Sequence, residues 1–160
     1  MDLLDRLLDH DRWATNYLLE LSPGFTDEQL DEEFDIGLRS LRATFDHLIF
    51  NIDFWTRVML GEDYDSIDRP KDSISTLIER HDRAYTKFAT LARRLREENR
   101  WDETFVDHFG GNTTYGGGIL HVVLHNEGHR TEAVHIITRL GVDEPPEVDH
   151  GLWDLTVRNG

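Results

Sequence analysis

Two histidines four residues apart, His125 and His129, stand in the run His121-Val-Val-Leu-His125-Asn-Glu-Gly-His129-Arg130. On a helix, residues at that spacing lie one above the other on the same face. Two imidazoles so placed can grip one divalent cation, and a third from a neighbouring helix would complete a facial site. His47, in Thr44-Phe-Asp-His47-Leu-Ile-Phe, is the candidate third ligand. It shares a helix face with Ser40, Ala43, Phe50, Asn51, Phe54 and Val58, a face that looks core-directed. Nine histidines in one chain make some such spacing a matter of chance. A lone His47 on an apolar face is more often a hydrogen-bonded core residue, but the three together favour metal.

His121, one turn before His125, pairs with it at the same spacing. It can ligate, or it can hold a ligand's tautomer and close the pocket. Glu132 lies three residues after His129 on the same face. It can orient an imidazole, accept a proton as a catalytic group, or serve as a fourth ligand; an ion pair is the bland alternative. The metalloprotease pattern is excluded, because Asn126 stands where that motif has glutamate, and Glu127 falls about 160° away on the wheel. Asn51 and Trp55, with Phe54, are candidate pocket residues beside His47. His10, His81, His108, His135 and His150 fit no shared face and read as ordinary polar residues.

Helical periodicity supplies the frame for these side chains. Leu3, Leu4, Leu7, Leu8, Ala14, Tyr17, Leu18 and Leu21 mark a first amphipathic helix, ended by Ser22-Pro23-Gly24. Thr26-Asp-Glu-Gln29 has the form of a capping box opening a short helix. A second long helix is predicted from about Gly37 to Leu60, and a third from an N-cap at Asp72 to about Asn99. A fourth begins after Gly116-Gly-Gly118 and closes at Gly141, a C′ glycine. Before it, Thr104 to Tyr115 reads as a small β-hairpin turning at Gly110-Gly111-Asn112. The Pro145-Pro146 tail is expected to lie over the bundle as a strap or short helix. The fold class is therefore all-α: a four-helix bundle with a small β-hairpin before the last long helix, one domain over residues 1–160. The first inter-helix connection, roughly 15 residues, exceeds the usual bundle loop, so the order of neighbours stays open.

Composition narrows the function. The chain has no cysteine, which removes disulfides, thiolate nucleophiles and cysteine-type zinc sites together. Its 32 acidic and 17 basic residues leave a net charge of −15 with no basic run, so a nucleic-acid partner is not expected. The start, Met1-Asp-Leu-Leu-Asp-Arg6, has no signal-peptide pattern, and no stretch approaches the roughly 20 apolar residues of a membrane helix. A cytoplasmic protein without a membrane association is the expectation.

The segment Arg39-Ser-Leu-Arg-Ala-Thr-Phe-Asp-His47, followed eight residues later by Trp55, resembles the DinB family of the DinB/YfiT-like superfamily. So does Leu120-His-Val-Val-Leu-His125-Asn-Glu-Gly-His129-Arg130, and the likeness spans essentially the whole chain. It implies metal ligands at His47, His125 and His129. It also implies a divalent cation, zinc or nickel first, that activates a low-molecular-weight thiol such as bacillithiol, mycothiol or glutathione for S-transfer or isomerisation. Homodimers are implied too. The family often continues His-Arg-Gly-Gln, whereas this chain has Arg130-Thr131-Glu132; the glutamate adds negative charge beside the metal. Metal-dependent hydrolysis is the enzymatic alternative, and a stress-induced dimer holding metal or ligand without turnover is the non-catalytic one. Because ligand imidazoles must be neutral, proton competition is expected below about pH 6.

Overall fold

The computed structural model describes residues 1–158. Four long helices carry the fold: α1 (Leu3–Leu21), α3 (Leu41–Leu60), α4 (Ile74–Glu97) and α5 (Tyr115–Arg139). Short α2 (Asp27–Leu30) lies between the first two. Strands β1 (Thr104–Val106) and β2 (Asn112–Thr114) pair antiparallel, with Phe105 opposite Thr113. Helix α6 (His150–Leu152) runs into a wider helical turn over Trp153–Val157. This is the expected helical bundle with a hairpin ahead of its last long helix.

Both α1 and α3 pack against α4 and α5, so α1 and α3 are diagonal partners and the α1–α3 connection crosses the end of the bundle. That connection is structured. Thr26 accepts from the Gln29 backbone at 3.2 Å while the Gln29 side chain accepts from the Thr26 N–H at 2.9 Å, completing the capping box. Buried Arg42 then ties it to α3, donating to Asp31 at 2.7 Å and to the Asp72 carbonyl at 2.7 Å.

Three helix boundaries differ from the sequence expectation, each for a local reason. Helix α3 starts at Leu41, not near Gly37, because Gly37 (φ +47°) and Arg39 (φ +76°) are left-handed and Ser40 supplies the cap. Helix α4 is capped by Ser73 and not by Asp72, whose carboxylate is taken by Arg80. Helix α5 includes the three glycines in its first turn. Thr114 caps it, and Gly118 packs so closely that a Cβ there would lie 3.0 Å from Met59 Sδ and 3.2 Å from the Phe105 ring. The Gly141 expectation holds, with φ +98° just beyond α5. The tail does strap α1: Arg6 pairs with Asp154 at 2.6 Å and His10 Nε2 bonds the Val148 carbonyl at 2.8 Å.

The apolar core comes in two halves. One gathers Leu8, Ile52, Phe88, Phe105, Ile119 and Val122; the other gathers Leu18, Phe45, Leu48, Leu77, Ala133 and Ile136. On each helix a polar residue sits between the two sets: Asp11 and Thr15 on α1, Asn51 on α3, His81 on α4, Asn126 and Arg130 on α5. The bundle therefore has a buried polar waist. No helix among the described residues is long and apolar enough to cross a membrane.

Candidate metal centre

Helix α5 is buried along Ile119, Val122, Val123, Asn126, Arg130, Ala133, Ile136 and Ile137, a spacing of three and four that seats it on the bundle. That seating rotates His125 and His129 into the groove beside α3, half-buried, where His47 meets them. His47 Nε2 and His129 Nε2 each lie 3.0 Å from His125 Nε2. The three rings offer nitrogens all within 4.8 Å of one another. Zinc–imidazole bonds of about 2.0–2.1 Å at angles near 90–110° would separate ligand nitrogens by roughly 2.9–3.4 Å, so the set fits a cation.

Glu132 fixes the third ring. Its carboxylate accepts from His129 Nδ1 at 2.7 Å, which places the ring proton on Nδ1 and leaves the Nε2 lone pair free. His125 can then donate through Nε2 to one neighbour or accept from one, but not both. Protons alone satisfy one of the two 3.0 Å approaches; a cation satisfies both. Two of the rings, His47 and His125, are also held neutral. Burial, reinforced by the His129 ring and Arg69, pushes His47 below the usual imidazole range. Burial, then the neighbouring His129 and His47, brings His125 down to about 4. Neutral rings are what a cation requires.

The other sequence candidates take different places. His121 is exposed, stacked on His125 at 5.4 Å between ring centres, with Trp55 4.6 Å away on its other contact. Trp55 thus reaches the site through His121, and Phe50 is the aromatic neighbour of His47 at 6.4 Å. Asn51 is buried in the polar waist, its amide directed at Asn126 Oδ1 at 3.5 Å.

That waist is what sequence reasoning missed. Arg130, whose side chain is 1% exposed, pairs with the fully buried carboxylate of Asp11 and bonds Thr15 Oγ1 at 3.2 Å. Asn126 donates to the other Asp11 oxygen at 3.1 Å, and Glu127 accepts from Arg130 at 2.6 Å. His81, read as an ordinary polar residue, is buried with Nδ1 2.7 Å from Asn16 Oδ1, and burial drives it down to about 3. The available signal was polar residues at core positions: Asp11 and Thr15 between Leu8 and Leu18, Arg130 between Val123 and Ala133.

A helical bundle with three imidazoles converging between two of its long helices is the class defined by this geometry. The DinB superfamily model matches residues 10–133, and the chain belongs to that superfamily. Its fold is similar to the crystal structure of a protein ascribed to the DinB family from Exiguobacterium sibiricum, with TM-score 0.66 and 18% identity. That likeness covers 91% of this chain and 95% of the other. No curated protein matches the chain.

Proposed function

We propose that the protein holds a divalent cation, zinc or nickel, on His47, His125 and His129, and uses it to activate a low-molecular-weight thiol for transfer to an electrophile. The observation that carries this is the pair of 3.0 Å Nε2 approaches to His125, which ring protons cannot satisfy as two full hydrogen bonds. A cation with three neutral ligands keeps open positions and lowers the pKa of a thiol or water that reaches it, making a nucleophile at neutral pH. Glu132 holds the Nδ1 proton of His129, and its negative charge strengthens cation binding while tempering electrophilicity. His121 sits at the rim as a neutral base, its basicity lowered first by partial desolvation and then by the nearby His108. It takes the thiol proton as sulfur bonds to the electrophile's carbon and the leaving group departs with its electron pair. With no cysteine in the chain, the sulfur must come from the cosubstrate.

Metal analysis of protein purified without chelator should find about one cation per chain, and His125→Ala should weaken zinc binding by at least about 100-fold. Glutathione, bacillithiol and mycothiol are then offered with an alkyl halide or an activated alkene. Thiol-dependent turnover that a chelator abolishes and zinc restores supports the proposal. Hydrolysis of esters without thiol turnover would replace it with the hydrolase alternative; bound metal with neither activity would leave a binding protein. Wild-type protein that takes up no cation defeats all three.

A further inference from the structure

We propose that Gly37, in the connection before α3, is a positioning residue for the metal centre, acting through Glu132 on His129. This rests on the reading of His47, His125 and His129 as cation ligands. A Cβ built at Gly37 would lie 2.1 Å from Glu132 Oε2, 2.2 Å from its Cδ and 2.6 Å from its Oε1. The Glu132 carboxylate therefore occupies the volume that any side chain at position 37 would need. The same Oε2 holds His129 Nδ1 at 2.7 Å. Glu132 is clamped between a ligand ring on one side and bare backbone on the other.

Neither side of the clamp yields without consequence. Glu132 is the more flexible side, but its Oε2, the atom nearest the built Cβ, is also the oxygen that holds His129 Nδ1, so its retreat draws on that bond. The connection can retreat only by breaking its own bracing. Phe34 N–H donates to the Arg39 carbonyl at 2.8 Å, and Arg39 N–H to the Ile36 carbonyl at 2.8 Å. Asp35 pairs with Arg139 of α5 at 2.7 Å, and the same guanidinium lies 5.9 Å from the centre of the Phe34 ring. Gly37 also has φ +47°, so the connection passes the carboxylate in a left-handed turn. Loss of the glycine frees the His129 ring to rotate and to move its proton to Nε2, where it blocks the ligand lone pair.

A matched control exists in the same chain. Gly61 has φ +67° with nothing within 4 Å of a built Cβ, so Gly61→Ala carries the left-handed strain without a collision. Zinc is titrated in competition with a chromophoric chelator at pH 7.5. The proteins are wild type, Gly37→Ala, Gly61→Ala, Glu132→Ala and Gly37→Ala/Glu132→Ala. Gly37→Ala should weaken zinc binding by about 10–100-fold, as loss of a ligand's hydrogen-bond partner does. Gly61→Ala should leave it unchanged. The double variant should bind no more weakly than Glu132→Ala alone, since residues acting through one contact are not additive. Cobalt bound to Gly37→Ala should show an altered visible spectrum, which a general loss of stability does not produce. If Gly37→Ala fails to fold, Gly37→Asn decides, because asparagine tolerates the left-handed backbone yet still carries a Cβ. Wild-type affinity in Gly37→Ala, or losses that add in the double variant, would overturn the inference. Wild-type protein that binds neither zinc nor cobalt would instead take down the metal reading beneath it.

Discussion

Residues 129 and 130 are neighbours on α5, yet they belong to polar clusters that behave in opposite ways. Arg130 enters the waist of the bundle, where nearly every polar group has a partner: Asp11 receives Arg130 and Asn126, and Glu127 and Thr15 take further donors. Among the waist residues, Arg130 Nε and His81 Nε2 are buried without a partner. His129 turns to the α3 groove, where His47 and His129 both approach the single Nε2 of His125 at 3.0 Å. The first cluster meets most of its hydrogen bonding from its own side chains and so reads as structure. The second leaves one of its two close nitrogen approaches unmet by ring protons, which is the ground for the proposed cation. A buried charge network is weak evidence of net stabilisation, but breaking it by removing one partner is costly.

The largest expected effect tests the waist. Asp11→Ala takes from Arg130, at 1% exposure, its buried carboxylate partner and leaves only the half-exposed Glu127 as an ion-pair partner. It should cost about 3–5 kcal/mol, a fall of roughly 10 °C or more in melting temperature for a chain of this size. Below that melting temperature its zinc affinity should stay within about tenfold of wild type, a smaller loss than removal of a ligand brings. A stable Asp11→Ala protein that no longer binds zinc would erase the division between the two clusters.

Acid should affect both clusters, at different strengths. His81 and His125 are lowered to about 3 and about 4, and His10 and His47 are lowered too, burial being the first cause in each. Their pKa values are depressed on folding, so the unfolded chain binds more protons below about pH 6.5. The stability they contribute is present above that pH and is lost as pH falls toward their folded values, at up to about 1.4 kcal/mol per pH unit for each group. With a chelator present, the melting temperature should drop between pH 7 and pH 5, and His81→Leu should flatten the slope. A slope indifferent to His81 would mean that the waist does not hold this ring neutral. For the same reason, proton competition with a cation at His125 should set in below the free-imidazole range, so zinc binding should extend somewhat below pH 6.

The smallest effect concerns the exposed arm of the waist. Glu127 accepts from Arg130 but is 52% exposed, so Glu127→Ala should cost about 1 kcal/mol or less and leave zinc affinity unchanged. A loss comparable to that of Asp11→Ala would show that Arg130 depends on its solvent-side partner as much as on its buried one.

The sequence by itself determined the helices, the hairpin, the capping box at Thr26 and the left-handed stop at Gly141, because each rests on local periodicity or on a backbone preference of one residue. It also placed His125 and His129 on one face, since a single turn of helix needs no tertiary information. Tertiary structure decided the rest. Whether His47 meets that face depends on α3 packing beside α5, and the diagonal placement of α1 and α3 was open until the crossing connection was seen. Asp11 and Arg130 are 119 residues apart, and only the fold makes them a pair. Gly37 and Glu132 are joined in the same way, by a close approach between two elements that neither segment announces. Asn51 shows the converse: local spacing marks its face, but the groups on the opposing helix, here Asn126 Oδ1 at 3.5 Å, decide what that face meets.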